Sequence, residues 1–200
     1  MRYAPGTISV FGLWLTAAAA GGWWLHKYEV AQGVPTLTPE QWPAAAYIER
    51  ATNRATLLMF AHPRCPCTRA SIEELNRLLA KCEGKLDTKV LFFEPKNYPP
   101  DWARSSLWKS AAAIPGVVAQ ADPNGIEARR FGASTSGFVV LYEPKGQLIF
   151  RGGITSSRGH AGDNAGAEGI VSFANERIAR IRQTPVFGCG LFDQCTASAK

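Results

Sequence analysis

Two hundred residues, 46% of them hydrophobic and 19% charged, have ordinary globular composition and fit one domain with appendages. The net charge of +6 invites a nucleic-acid reading, but the basic residues are scattered and no binding motif accompanies the densest groups, Arg129-Arg130 and Arg177/Arg180/Arg182, so these are read as solvated helix faces and no nucleic-acid partner is expected. Five cysteines without a second Cys-x₂-Cys pair do not make a zinc framework; they suit a redox role or an oxidising compartment.

Residues 8–25 carry no charge and reach the lower edge of what spans a bilayer as a helix. Arg2 precedes this stretch and Trp23-Trp24 close it, as an interfacial aromatic belt would. A signal peptide cut near residues 18–20 is the rival, but the two tryptophans extend the apolar run beyond that point, which favours a retained anchor over residues 1–27. Residues 28–54 read as a tether. Within it Thr38 as N-cap and Pro39 at the first helical position predict a short helix, while Trp42 and Tyr47 are available to pack on a domain.

The domain begins at residue 55 with a short apolar run, 55–60, that reads as a buried strand. A proline-bracketed pair, Cys65-Pro66-Cys67, follows. Then Ile72, Leu75, Leu78, Leu79 and Cys82 recur at the helical period and make one apolar face. Both cysteines therefore sit where a strand ends and a helix begins. The unpaired N–H groups of a helix start favour a thiolate there, and His62, Arg64 and Arg69 add cationic or potentially cationic neighbours. A second apolar run, 89–93, completes a βαβ pattern, with parallel strands and a right-handed crossover.

Beyond a loop at 97–101, a helix is predicted over 105–113, stopped by Pro115-Gly116. A short strand at 117–119, a turn at 122–125 and a short helix at 126–131 follow, the last ending at Gly132. Strands at 138–142 and 147–151 form a hairpin around Pro144 and Gly146. A glycine-rich loop then runs to Asn164 and carries Thr155, Ser156, Arg158, His160 and Asp163; Asp163 or Asn164 is placed to cap the next helix, and no phosphate-loop motif is present. Ile170, Phe173, Ala174, Ile178 and Ile181 mark a final amphipathic helix that should stop at Thr184-Pro185. The tail 184–200, with Cys189 and Cys195, is too apolar for a disordered end and is expected to dock.

A strand, then His62-Pro63-Arg64-Cys65-Pro66-Cys67, then an amphipathic helix resembles the thioredoxin-like superfamily, and within it the membrane-anchored bacterial redoxins, including the RedB-like group with a Cys-x-Cys element. The resemblance spans 50–183 and is specific over 60–79. It implies an α/β fold over 55–183, a central mixed sheet flanked by helices, behind an N-terminal transmembrane helix. The cysteine chemistry places that domain outside the cytoplasm, so a single-pass protein of the inner membrane with its domain facing the periplasm is expected. The implied activity is thiol–disulfide exchange with protein or small-molecule thiols and disulfides, without a cofactor. Two features depart from the family: one residue rather than two separates the cysteines, and Thr135-Ser136-Gly137 stands where a cis-proline precedes the strand.

On this reading Cys65 is the nucleophile, being the more N-terminal and the more exposed, and Cys67 resolves. His62, Arg64, Thr135 and Ser136 support them, with His160 brought close by the loop that the resemblance lays beside the site. The one-residue spacer and Pro66 predict a strained bridge, hence a potential above the roughly −270 mV of thioredoxin and nearer −180 mV. The resemblance also runs the final helix away from the site, toward Cys82, so a staple Cys82–Cys189 is expected, with Cys189–Cys195 as the alternative. A second reading gives Cys65, Cys67 and His62 to copper or another thiophilic metal. A third makes the domain a non-catalytic tethered binding module.

Overall fold

Helix α1, Pro5–Glu29, precedes a five-stranded sheet in a computed structural model that describes residues 5–99 and 101–192, with side chains from residue 9 onward. The sheet has strands β1 (Ala55–Ala61), β2 (Leu86–Glu94), β3 (Val117–Pro123), β4 (Phe138–Tyr142) and β5 (Leu148–Gly152), in the order β3-β2-β1-β4-β5. β1, β2 and β3 run parallel, β4 is antiparallel to β1, and β5 is antiparallel to β4.

Every residue of β1 is buried, because this central strand is covered on both faces and so reads as a continuous apolar run rather than an alternation. Leu57, Met59 and Ala61 join the core beneath α2 (Pro66–Cys82), α3 (Ser106–Ala112) and α5 (Ala165–Glu176), with Leu75, Leu78, Leu107 and Phe173. Leu58 and Phe60 face the opposite side, where Phe93, Tyr142 and Phe131, just past α4 (Ile126–Arg130), close a second core. This mixed sheet between helices fits a thioredoxin-like fold, and its register sets the ends of β1 and β2 side by side, Ala61 opposite Phe92.

Two segments depart from their local signals for one reason, the open edge of β5. No helix starts at Pro39. Instead the Leu148 N–H donates to the Glu40 carbonyl (2.9 Å), the Trp42 N–H donates to the Gly146 carbonyl (2.7 Å), and Gln41 bridges Gln147. Trp42 then meets Phe131 and Tyr142 edge-on, at ring separations of 5.0 and 5.3 Å. The stretch read as a tether is thus packed on the domain. Further along, α5 stops at Glu176, with Arg177 in the left-handed region (φ 59°), well short of Thr184. The chain turns back, and residues 182–184 pair with Arg151 (3.0 and 3.2 Å). An exposed strand edge is a row of unpaired backbone groups, and covering it outweighs helical periodicity on both sides.

The N-terminal stretch is helical, but among the described residues no helix is long and apolar enough to cross a membrane. Glycines 12, 21 and 22, Thr16 and the four alanines from 17 to 20 dilute the apolar run that suggested a transmembrane helix. The helix projects Phe11, Leu13, Trp14, Trp23 and Trp24 into solvent, and its end is held where the Arg158 N–H donates to the Glu29 carbonyl (3.0 Å).

Candidate functional site

The chain leaves β1 at His62 and re-enters regular structure at α2. Cys65 is the N-cap of α2, in extended geometry (φ −84°, ψ 120°), as a residue before proline prefers; Pro66 takes the first helical position, where its missing N–H costs nothing. The Cys65 N–H donates to the His62 carbonyl (3.2 Å), and the Thr68 N–H to the Cys65 carbonyl (3.1 Å). The predicted strand–cysteine–helix junction is therefore present.

A third thiol lies in it. The Cys65 and Cys189 sulfurs are 2.8 Å apart, in contact but beyond the roughly 2.05 Å of a disulfide bond. The sulfurs of Cys65, Cys67 and Cys189 all lie within 4.8 Å of one another and form a small cluster of their own. The tail reaches them through backbone pairing: the Ser136 N–H donates to the Cys189 carbonyl (2.8 Å), the Leu191 N–H to the Ser134 carbonyl (2.8 Å), and Thr135 bridges Gly190 antiparallel. The tail docks as expected, but it covers the site. Cys65, read as the more exposed cysteine, is 0% exposed, against 8% for both Cys67 and Cys189.

This packing divides the protons unequally. The Cys65 thiol is held far below its ordinary pKa, chiefly by its hydrogen bond with the Cys189 thiol and next by one with Cys67; burial opposes them, and the Cys189 backbone and Thr68 help. Cys67 is pushed the other way, because hydrogen bonds to Cys189 and Cys65 hold its proton and burial disfavours a second charge. Of these two thiols Cys65, at the positive end of α2, is the one whose thiolate is favoured, and Cys67 keeps its proton.

His62 is buried between Phe93 and Trp102, and its Nδ1 accepts the Arg64 N–H (3.2 Å). Burial lowers its pKa, against the pull of the Cys65 charge and with the help of the Arg64 charge. Arg64 lies over the Trp102 ring at 4.8 Å. Ser136 is the clamp of the site. Its Oγ accepts the His62 N–H (2.8 Å) and shares a hydrogen with Thr68 Oγ1 (2.7 Å), while its backbone holds Cys189. Ser136→Ala should cost about 1–3 kcal/mol in urea denaturation, since it strips a buried N–H of its acceptor. Thr135, also buried, contributes its backbone to the tail.

Three expectations fail on position. His160 is exposed, with Nδ1 on the Arg158 carbonyl (2.9 Å), because its loop is tied to the middle of α2: Glu74 accepts the Gly162 N–H (2.8 Å) and the Asn164 side-chain amide (3.2 Å). Asn164 does cap α5, accepting the Ala167 N–H at 2.8 Å. The alternative metal set of His62, Cys65 and Cys67 does not come together; among the described residues the group is Cys65, Cys67 and Cys189. The Cys82–Cys189 staple is not formed. Cys82 is buried in the helix-side core, its thiol pushed up to about 11 by burial, at the end of α2 opposite Cys65. Because α5 stops early and residues 182–184 return along β5, the tail reaches the other end of α2. Cys195, the remaining candidate, lies outside the described residues.

Fold and site together define a thioredoxin-like α/β domain with three buried thiols at a helix N-terminus. No family model matches the chain, and no curated protein matches it. Among solved structures it is similar to a hypothetical protein from Sinorhizobium meliloti (TM-score 0.62, 16% identity, 80% of this chain and 98% of that one). It is also similar to an uncharacterized conserved protein from Geobacillus kaustophilus (TM-score 0.58, 19% identity, 82% and 90%). At these identities the likeness is one of fold. A fainter likeness, to a secreted disulfide oxidoreductase of Mycobacterium tuberculosis (TM-score 0.43, 13% identity, 62% and 81%), bears no weight.

Proposed function

We propose that the chain is a thiol–disulfide oxidoreductase in which Cys65 is the attacking sulfur. The observation that carries this reading is the Cys65 sulfur at the start of α2 with two further thiols within 4.8 Å, one of them in contact. A thiolate attacks a disulfide, and a neighbouring thiol resolves the mixed disulfide, so electrons pass between sulfurs without a cofactor. Its partners are protein or small-molecule thiols and disulfides. Stabilising the thiolate favours the reduced form, which supports a potential above the roughly −270 mV of thioredoxin, toward −180 mV. Equilibration of the full chain with glutathione measures it, and a value at or below that of thioredoxin refutes this part. Turnover of a dithiol–disulfide exchange assay should vanish in Cys65→Ser; retained turnover overturns the reading.

The proposal includes attachment to a membrane through α1, with the domain on the oxidising, periplasmic side. The support is the uncharged stretch 8–25 and the large apolar side chains that α1 leaves exposed. Fractionation, with reporter fusions at the C-terminus, tests it. A chain recovered wholly from the soluble cytoplasmic fraction removes this part and leaves the sulfur chemistry standing.

A further inference from the structure

The position of Cys189 is fixed by backbone, independently of sulfur. The Ser136–Cys189 and Leu191–Ser134 hydrogen bonds and the Thr135–Gly190 bridge make residues 189–191 a short strand added to 134–136. Gly188 precedes it at a point of contact: a Cβ there would lie 2.0 Å from the Ser136 carbonyl oxygen. The strand delivers Cys189 with its sulfur 2.8 Å from that of Cys65.

The rival partner, Cys67, is separated from Cys65 by one proline. A bridge between them closes a small ring through Pro66, whose φ is fixed, and through the extended backbone that Pro66 imposes on Cys65. A disulfide needs a dihedral near a right angle, which such a ring supplies poorly. The route from Cys65 to Cys189 crosses the whole domain and imposes no local ring.

We infer that Cys189, carried by the C-terminal tail, rather than Cys67, is the thiol that resolves Cys65, so that the redox couple is Cys65–Cys189 and Cys67 is a third sulfur beside it. This rests on the reading that Cys65 attacks disulfides. The steps balance as follows. The Cys65 thiolate attacks one sulfur of a substrate disulfide, forming a mixed disulfide and releasing the other sulfur as a thiolate, which takes a proton. Cys189 gives up its proton and attacks the Cys65 sulfur, breaking the mixed disulfide and releasing the second thiolate. Two electrons have passed from Cys65 and Cys189 to the substrate. Since the tail covers Cys65, it lifts to admit substrate and returns carrying the resolving thiol.

The test is oxidation of the reduced full chain with glutathione disulfide, followed by alkylation and peptide mapping without reduction. Trypsin combined with an Asp-specific protease separates Cys189 from Cys195 by cutting at Asp193. Wild type should give a peptide pair joining the Cys65-Cys67 peptide to the Cys189 peptide. Cys67→Ala should still close that bridge, whereas Cys189→Ala should stop with glutathione on Cys65. Wild-type mapping needs no substitution, so a variant that folds poorly does not decide the matter. A Cys65–Cys67 bridge in wild type, or ring closure in Cys189→Ala with a trapped adduct in Cys67→Ala, overturns the inference while leaving Cys65 the attacking sulfur. Absence of both bridge and adduct at Cys65 in all three proteins overturns the proposed function, and this inference with it.

Discussion

Gly188→Val should open the thiol site, raising the alkylation rate of Cys65 in the folded, reduced protein about tenfold to a hundredfold. The cause is steric. A side chain at this position meets the Ser136 carbonyl oxygen at 2.0 Å, with Thr135 Cγ2 behind it at 3.2 Å, and a backbone oxygen yields less readily than the end of a flexible side chain. Relief comes by lifting residues 187–191, which breaks the Ser136–Cys189 and Leu191–Ser134 hydrogen bonds. Overpacking of this kind costs about 1–3 kcal/mol, and each 1.36 kcal/mol is about tenfold in the open population. Lifting the tail also withdraws the Cys189 donor from Cys65, which raises the Cys65 pKa and slows alkylation at neutral pH. The rate is therefore read above about pH 9, past the ordinary thiol range. Cys82 serves as an internal clock: it lies in the helix-side core, so its alkylation reports global unfolding. A variant in which Cys65 speeds up while Cys82 does not has lost its tail alone. Unchanged protection of Cys65 means the tail does not cover it.

Much of this arrangement is written locally in the chain. The run 55–60 gives β1, the face Ile72, Leu75, Leu78 and Cys82 gives α2, and prolines 63 and 66 place Cys65 at the junction. What is not local is absent from the local pattern. Ile178 and Ile181 keep helical spacing, yet Ile181 folds back so closely on α5 that a Cβ at Gly169 would meet its carbonyl oxygen at 2.8 Å. Periodicity cannot distinguish continuing a helix from returning along it. Thr38-Pro39 has the chemistry of a helix start, but the open edge of β5 claims its neighbours Glu40 and Trp42. Cys189 does carry a local signal, its flanking Gly188 and Gly190. Glycines on both sides of a cysteine in an apolar tail mark backbone brought hard against another strand, and that strand is Ser134–Ser136 rather than anything near Cys82.

The largest spectroscopic effect should appear in the pH titration of Cys65. In the reduced wild type, the thiolate absorbance should survive well below the ordinary thiol pKa of about 8.5, because Cys189 and Cys67 donate to the sulfur. Cys189→Ala should return the titration toward that value, and by more than Cys67→Ala, since the Cys189 thiol is the larger cause of the lowering. Serine is the wrong substitution here, as its hydroxyl would donate in place of the thiol. Stability follows with a definite sign. A group whose pKa is depressed by folding stabilises fully above its unfolded pKa and loses that contribution as pH falls toward its folded one. The Cys65 contribution should therefore decline on acidification from about pH 8.5. His62, whose pKa burial lowers, adds a loss in the same direction only below about pH 6.5. Between those values the difference between wild type and Cys65→Ala isolates the thiolate. Cys82 acts at the other end: raised to about 11, its contribution is present below the unfolded pKa and lost as pH climbs through that value, and Cys67 shifts in the same sense. Urea unfolding of the reduced chain should thus give a stability maximum near pH 8, flattened on its acid side between about pH 6.5 and 8.5 by Cys65→Ala. An acid limb identical in wild type and Cys65→Ala across that window would mean that Cys65 is protonated and that the charge of the cluster lies elsewhere.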